Sequence, residues 1–255
     1  MPLLSTRGGG SARGFGLNNG GFPGIIATGG TITEQGVYYL HTFNSTDTFA
    51  VLKGSSKYPT YDWFLMGGGG AGGGGQVHGP GGSGGAAAIS KNANAVTAVV
   101  GNNVITIGSG GNAVGNGAQQ GFTGNAGNSS NAFSQTATSG NGGQGVPQSG
   151  RSGGNNAQYN SSSGNTSRDG GSGAGAGGNA SGTTGGIGVQ TPLANGSQTY
   201  FGGGGGHITG GQGGGGGWQA VPGATNTGSG GGGGYSWGGG GAGAAGVCFI
   251  RYQVK

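Results

Sequence analysis

The sequence predicts an all-β protein: an antiparallel β-sandwich with a long glycine-rich, polyglycine II-like insertion and an extended N-terminal arm. Three observations predict the β-strands and the glycine-rich insertion between them. Glycine supplies 78 of the 255 residues, and charged residues make up only 5%. Short runs rich in aromatic and β-branched residues lie near both ends of the chain, as strands would. Glycine runs occupy the region between them. We therefore expect an arm at residues 1–24, a sandwich from residues 25–110 and 246–255, and an insertion at residues 111–245.

The glycine content excludes a conventional packed domain, because glycine loses the most conformational entropy on folding and adds no side chain to a core. Two familiar glycine-rich folds are excluded as well. Collagen requires glycine at every third position and abundant proline, and the chain has only 7 prolines. Calcium-binding β-rolls require an aspartate in each glycine-rich turn. The glycine-rich segments here contain one acidic residue, Asp169.

The N-terminal arm is too short and too rich in glycine to fold alone, so we expect it to become ordered on a partner. Two arginine-glycine segments in it superficially resemble RNA-binding repeats, but two copies are too few. The net charge of +5 is scattered and forms no basic stripe, so nucleic acid is not an expected partner. The arm residues expected to anchor the chain are Leu3, Leu4, Arg7, Arg13 and Phe15.

The first strands are predicted after the arm. Residues 37–43 and 49–52 are rich in aromatic and β-branched residues, and residues 44–47 supply turn chemistry between them. This pattern favours an antiparallel hairpin. Four further strands are expected, at residues 61–66, 96–100, 103–107 and 246–254.

The last of these strands closes the chain, so strands from both ends are expected to share one sheet. The glycine-rich middle is then a long insertion between strands of the sandwich. A glycine chain can form an extended left-handed helix with about three residues per turn and a rise of about 3.1 Å. Several such helices can lie side by side and bond through their backbones, which satisfies buried N–H and C=O groups.

The alternative for the middle region is a flexible glycine-serine linker or a low-complexity segment. Two features favour the ordered bundle. The glycine runs at residues 67–75 and 238–241 come directly next to predicted strands, which would hold the first and last helices close together. Charge is also nearly absent, whereas soluble disordered linkers usually carry it.

The chain carries few residues suited to catalysis, so no enzyme activity, cofactor or metal is expected. No glycine run continues into the Gly-Lys-Ser/Thr of a phosphate loop. His41, His78 and His207 are far apart and have no further ligands at metal-binding spacing. The four acidic residues offer little scope for a paired-carboxylate glycosidase, and two of them, Glu34 and Asp47, fall in turn-like positions.

Aromatic residues in the glycine-rich region are the candidate receptor-binding groups. Little apolar sequence surrounds them, so exposed rings could stack on sugars or on protein loops. The alternative is that they plug the ends of the bundle or pack against the sandwich. The candidates are Tyr200, Phe201, His207, Trp218, Tyr235 and Trp237.

Several motifs, taken in order, resemble the glycine-rich domain common in structural proteins of tailed bacteriophages. They are ATGGTI at 27–32, YLHTF at 39–43, TFAV at 48–51, WFLMGGGG at 63–70, ITIGSGG at 105–111 and GVCFIRY at 246–252. The opening MPLLSTRG and SARGFG also resemble the leader of many virion proteins.

The resemblance implies that the β domain is a sandwich closed by the last strand. It also implies a virion protein: a tail-fibre or tail-tip adhesin that binds a host-surface receptor, either a glycan or an outer-membrane protein. The arm would attach to other virion proteins. By analogy with phage fibres, the chain is expected to form a homo-oligomer, such as a trimer. A capsid decoration or head-fibre subunit is the alternative. The chain departs from glycine-rich adhesins in its irregular glycine blocks and its Asn/Ser-rich middle.

Overall fold

The computed structural model describes residues 24–75, 83–115, 122–145, 152–163, 170–235 and 238–255. Every regular element in these ranges is a β-strand, which confirms the all-β prediction. The strands are β1 (Ile26–Thr28), β2 (Thr31–Gln35), β3 (Tyr38–Phe43), β4 (Asp47–Lys53), β5 (Thr60–Met66), β6 (Ser90–Thr97), β7 (Gly101–Ile105), β8 (Ser130–Ala132), β9 (Gln135–Ala137), β10 (Val189–Thr191), β11 (Thr199–Phe201) and β12 (Val247–Gln253).

Two antiparallel sheets form the sandwich. One has five strands in the order β2-β3-β12-β5-β6, and the other has three in the order β1-β4-β7. The last strand, β12, is central in the larger sheet, where Phe249 lies opposite Thr42 on β3 and Phe64 on β5. The prediction that strands from both ends of the chain share a sheet is therefore confirmed. Two small hairpins, β8-β9 and β10-β11, lie outside the two sheets.

The predicted hairpin of residues 37–43 with 49–52 is wrong. Strand β3 pairs with β2 and β12 in one sheet, whereas β4 pairs with β1 and β7 in the other. Residues 44–46 thus cross between sheets. Phe43 and Phe49 both point into the space between the sheets, with ring centroids 6.5 Å apart. Alternating side chains suit a strand in either sheet, so the pattern could not separate a crossover from a hairpin turn.

Asp47 fixes the start of β4 after this crossover. One carboxylate oxygen accepts the N–H of Gly30 at 2.9 Å, and the other accepts the N–H of Thr48 at 2.7 Å. These bonds lower the pKa of Asp47, the larger effect coming from Gly30. The turn chemistry seen in the sequence therefore ties the two sheets together.

The main apolar core fills the space between the two sheets. It includes Phe43, Phe49, Trp63 and Ile250, all buried. His41 is also fully buried there and is hydrogen-bonded at both ring nitrogens: Nδ1 donates to the Gly29 carbonyl at 2.7 Å, and Nε2 accepts from the Tyr252 hydroxyl at 3.0 Å. Because a carbonyl can only accept, Nδ1 carries a proton. Burial lowers the pKa of His41 and so favours the neutral ring, in which Nε2 is the acceptor.

The opposite face of the five-stranded sheet carries a second apolar cluster. Leu40, Phe64, Met66 and Phe249 project from this face. They pack against residues of the glycine-rich region, namely Ala87, Ala88, Ala176, Leu193 and Phe201. The larger sheet is therefore covered on both faces.

The glycine-rich region forms a bundle of extended segments. Its central segment, residues 67–75, has all nine backbone N–H groups hydrogen-bonded to carbonyls, at N···O distances of 2.8–3.4 Å. The acceptors change with a period of three residues. Residues 67, 70 and 73 donate to 89, 86 and 83; residues 68, 71 and 74 donate to 128, 125 and 122; and residues 69, 72 and 75 donate to 244, 241 and 238.

A period of three is the signature of polyglycine II geometry, in which successive groups point to three different neighbours. The carbonyls of the central segment extend the pattern, since those of Gly68, Gly69 and Gly70 accept from Gly140, Gly111 and Gly231. Six segments thus surround residues 67–75. The direct pairing with residues 238–244 confirms that the first and last helices of the bundle lie side by side.

Close backbone packing explains why this region needs glycine. A Cβ atom added at Gly72 would lie 2.0 Å from the carbonyl oxygen of Gly232. Comparable approaches to neighbouring backbone occur at Gly68 and Gly69. Alanine occurs where a methyl group fits, as at Ala71 and Ala86, which are both fully buried.

Gly72→Ala is expected to destabilise the fold, because the new methyl group would meet rigid backbone. We expect the free energy of unfolding to fall by about 1–3 kcal/mol or more. Gly54→Ala is the matched control, since its added Cβ would make only ordinary contact, 3.5 Å from the Ala98 carbonyl. Denaturant unfolding of both variants would measure the difference, and equal stability of the two would contradict the packing described here.

Candidate functional site

The two ends of the bundle differ in what they contact. One end, defined by Gly67, Ile89 and Gly246, continues into strands β5, β6 and β12, and we call it the sandwich end. The other, the loop end, is defined by Gly75 and Ser83, whose N–H groups donate to Gly238 and Gln144. Residues flanking the undescribed stretches 76–82, 146–151 and 236–237 lie at this loop end.

Three glycine runs lie side by side and each leads to a ring-bearing residue at the loop end. Residues 202–206 lead to His207, residues 213–217 to Trp218 and residues 230–234 to Tyr235. The runs are bonded directly. Gly206 N–H donates to Gly216 at 2.8 Å, and Gly233 N–H donates to Gly206 at 3.1 Å. The backbone of the bundle thereby determines where the three rings meet.

The rings form a cluster at this end. Trp218 and Tyr235 contact edge to face, with centroids 5.4 Å apart, and the Tyr235 centroid is 6.3 Å from that of His207. Trp218 remains 47% exposed, whereas His207 is 1% exposed, with its backbone N–H donating to Ser172 Oγ at 3.2 Å. His207 therefore lies on the buried side of the cluster, and the Trp218 ring is exposed to solvent.

Ile208 extends the exposed surface of this cluster. Its carbonyl accepts the N–H of Trp218 at 3.0 Å, and its side chain is 49% exposed. Phe122, whose carbonyl accepts the Gly74 N–H at the same end of the bundle, is also largely exposed. The sequence did not single out Ile208. A lone apolar residue among glycines forms the same sequence pattern whether its side chain is packed or exposed.

Phe201 and Tyr200 lie at the sandwich end, away from the cluster. Phe201 is 7% exposed, and its ring centroid is 5.8 Å from that of Phe64 and 5.2 Å from that of Phe249. Phe201 therefore packs against the sandwich, as in the alternative given above for the aromatic residues. Tyr200 is half-buried on β11 opposite Gln190. Trp237 and the arm residues Leu3, Leu4, Arg7, Arg13 and Phe15 fall outside the described residues.

Each acidic residue in the described ranges has an ion-pair or hydrogen-bond partner. Glu34 pairs with Lys255, Asp47 holds the start of β4, and Asp62 pairs with Arg251 at 3.6 Å. Cys248 is buried, and burial raises the pKa of its thiol. Within the described ranges, no cluster of three or more His, Cys, Asp or Glu residues is suitable for a metal ion. No helix in the same ranges is long and apolar enough to cross a bilayer.

A family model described as a glycine-rich domain matches residues 44–253. The chain belongs to this glycine-rich domain family. The matched range begins in the crossover between the sheets and ends at the last residue of β12, so it includes the described bundle, the ring cluster and strands β4 to β12. No curated protein matches the chain.

Alanine substitutions of Phe201, at the sandwich end, and Trp218, at the loop end, are expected to lower stability by different amounts. Phe201→Ala is expected to lower the free energy of unfolding by about 3–5 kcal/mol, because it empties a packed aromatic site. Trp218→Ala should cost about 1 kcal/mol or less, because half of the ring is already in water. Thermal unfolding of the two variants would test this, and a larger loss at Trp218 would assign that ring a packing role.

Proposed function

We propose that the chain is a structural protein of a bacteriophage particle, a tail-fibre or tail-tip adhesin that contacts a host-surface receptor through the loop end of its bundle. The observation that carries this proposal is the exposed Trp218 ring, fixed against Tyr235 at the tip of adjoining glycine runs. The phage context comes from the motif resemblance.

Physical chemistry supports a binding role for this end. Tryptophan and tyrosine are the residues most enriched among interface hot spots, since they bury a large area and keep a polar group at the edge. A bundle bonded through its backbone holds them in place before the receptor arrives. Little conformational entropy is then lost on binding, and that loss is one of the main costs of association.

The absence of charge suggests how the receptor is recognised. No Asp, Glu, Lys or Arg occurs between Asp169 and Arg251, a range that includes His207, Trp218 and Tyr235. Recognition would rest on ring stacking and hydrogen bonds, which suits a glycan or an exposed loop of an outer-membrane protein. Binding of this kind changes little with ionic strength, because the segment that carries the three rings has no charged side chain whose interaction salt could screen.

The arm would attach the chain to other virion proteins through Leu3, Leu4, Arg7, Arg13 and Phe15. Strand β1 begins opposite Lys53, whereas β7 leads into the bundle after Ile105, which lies opposite Asp47 at the other end of β4. An anchored arm would therefore leave the loop end free to point away. The outer surface of the same part of the sandwich exposes Leu52, Val100 and Val104, which gives an apolar surface for a neighbouring virion subunit or for the other copies of a trimer. That surface equally suits a capsid decoration or head-fibre protein, the second candidate.

Binding of the purified, labelled full-length chain to host cells tests the adhesin proposal. We expect Trp218→Ala to weaken binding by about thirtyfold, the effect of losing a hot-spot residue of about 2 kcal/mol. Val37→Ala, a change at an exposed apolar residue in the turn between β2 and β3, should bind like the unmodified chain.

Two results would contradict the adhesin proposal. The first is that the unmodified chain binds no host cells while labelling finds it on the capsid faces of the particle, which would favour the decoration alternative. Equal weakening by Trp218→Ala and Val37→Ala would also count against a specific site at the loop end.

A further inference from the structure

A polar cleft of about 300 Å³ opens beside the five-stranded sheet, at the sandwich end of the molecule. Strands β5, β6 and β12 form one wall, and the β10-β11 hairpin with the residues that follow β10 forms the other. The polar side chains that line it are Asp62, Asn92, Asn94, Gln190, Thr191 and Arg251.

Arg251 and Asp62 line the cleft as an ion pair with unused hydrogen-bonding capacity. The Arg251 Nη2 to Asp62 Oδ2 distance is 3.6 Å, longer than a good hydrogen bond. Arg251 Nη1 donates to the Pro192 carbonyl at 3.4 Å, but its Nε is buried and has no partner in the described part of the chain. Asp62 Oδ1 accepts the Ala95 N–H at 2.9 Å. The two side chains are 17% and 32% exposed, so a ligand can reach both.

Three amide side chains stand around this pair. Asn92 and Asn94 project from β6, and Gln190 projects from β10 on the opposite wall. In the ranges that the structure describes, none of the three amide groups has a hydrogen-bond partner, and each offers both a donor and an acceptor. Val189 and Leu193 add apolar surface to the same cleft.

We propose that this cleft binds a single uncharged sugar residue. The opposite charges of Asp62 and Arg251 offset each other, so the site favours a ligand without net charge. Its side chains offer both donors and acceptors, which match a ring that carries several hydroxyl groups, and its apolar side chains match the C–H face of such a ring. The volume is at the lower limit for small-molecule sites, which suits one ring better than a long oligosaccharide.

This site is separate from the ring cluster and does not depend on the proposed adhesin function. Arg251 lies on β12 and Gln190 on β10, both at the sandwich end, whereas Trp218 lies at the loop end of the bundle. A chain with both sites could hold a sugar without using its tip.

Saturation-transfer NMR of the full-length chain tests the proposal. The probes are D-glucose, D-galactose, D-mannose, L-rhamnose and N-acetyl-D-glucosamine, each free and as the methyl glycoside. We expect at least one sugar to bind. The double variant Asn92→Ala/Asn94→Ala and the single variant Gln190→Ala should each weaken it about tenfold, the effect of losing hydrogen bonds to a polar ligand. These positions are at the surface, so the variants should fold.

Asn141→Ala is the matched control, an exposed asparagine on the bundle away from the cleft, and it should bind the sugar normally. A sugar held at the loop end instead would bind all the cleft variants normally, which separates the two sites. Equal binding of the methyl glycoside would identify the terminal residue of a glycan as the ligand, and binding of the free sugar alone would identify a monosaccharide. The proposal is overturned if none of the sugars binds, or if the cleft variants bind as well as Asn141→Ala.

Discussion

The need to pair buried backbone N–H and C=O groups governs this structure. A glycine chain offers no side chains to bury, so its folded state depends on satisfying these groups with one another. In the segment at residues 67–75, every N–H group donates to a carbonyl. Successive residues donate in turn to three different neighbouring segments. Each such bond contributes only about 0.5–1.5 kcal/mol net, but a buried group left unpaired costs about 1–3 kcal/mol. The bundle therefore tolerates little displacement of any segment.

The β-sandwich supplies what the bundle lacks, a hydrophobic core that fixes where the segments begin. Residue 67 follows Met66 at the end of β5, and residue 246 precedes Val247 at the start of β12, and these strands are neighbours in the larger sheet. The outgoing and returning chains are thus adjacent before the first glycine. The second apolar cluster, with Phe64, Phe201 and Phe249, packs the larger sheet against the bundle at this point. At the far end the same bundle geometry brings Trp218 and Tyr235 into contact.

Much of this architecture can be predicted from the residues. Aromatic and β-branched runs locate β5 and β12, and glycine runs at their ends predict a bundle whose first and last helices touch. The crossover after β3 could not be predicted, because side chains alternate in the same way in a hairpin and in a sandwich. The division between Phe201 in the core and Trp218 at the surface depends on which end of a glycine run each residue occupies. The cleft joins Asp62, Gln190 and Arg251, which are far apart in sequence and carry no shared motif.

Residue-resolved hydrogen exchange tests the backbone-bonded bundle most directly. Glycine amides in residues 68–74 should exchange about as slowly as those of β5 and β12, because opening any of them requires separating several segments at once. Exchange of these amides at the rate of an unstructured glycine peptide, with β5 and β12 still protected, would contradict the account and leave the glycine-rich region as a flexible linker.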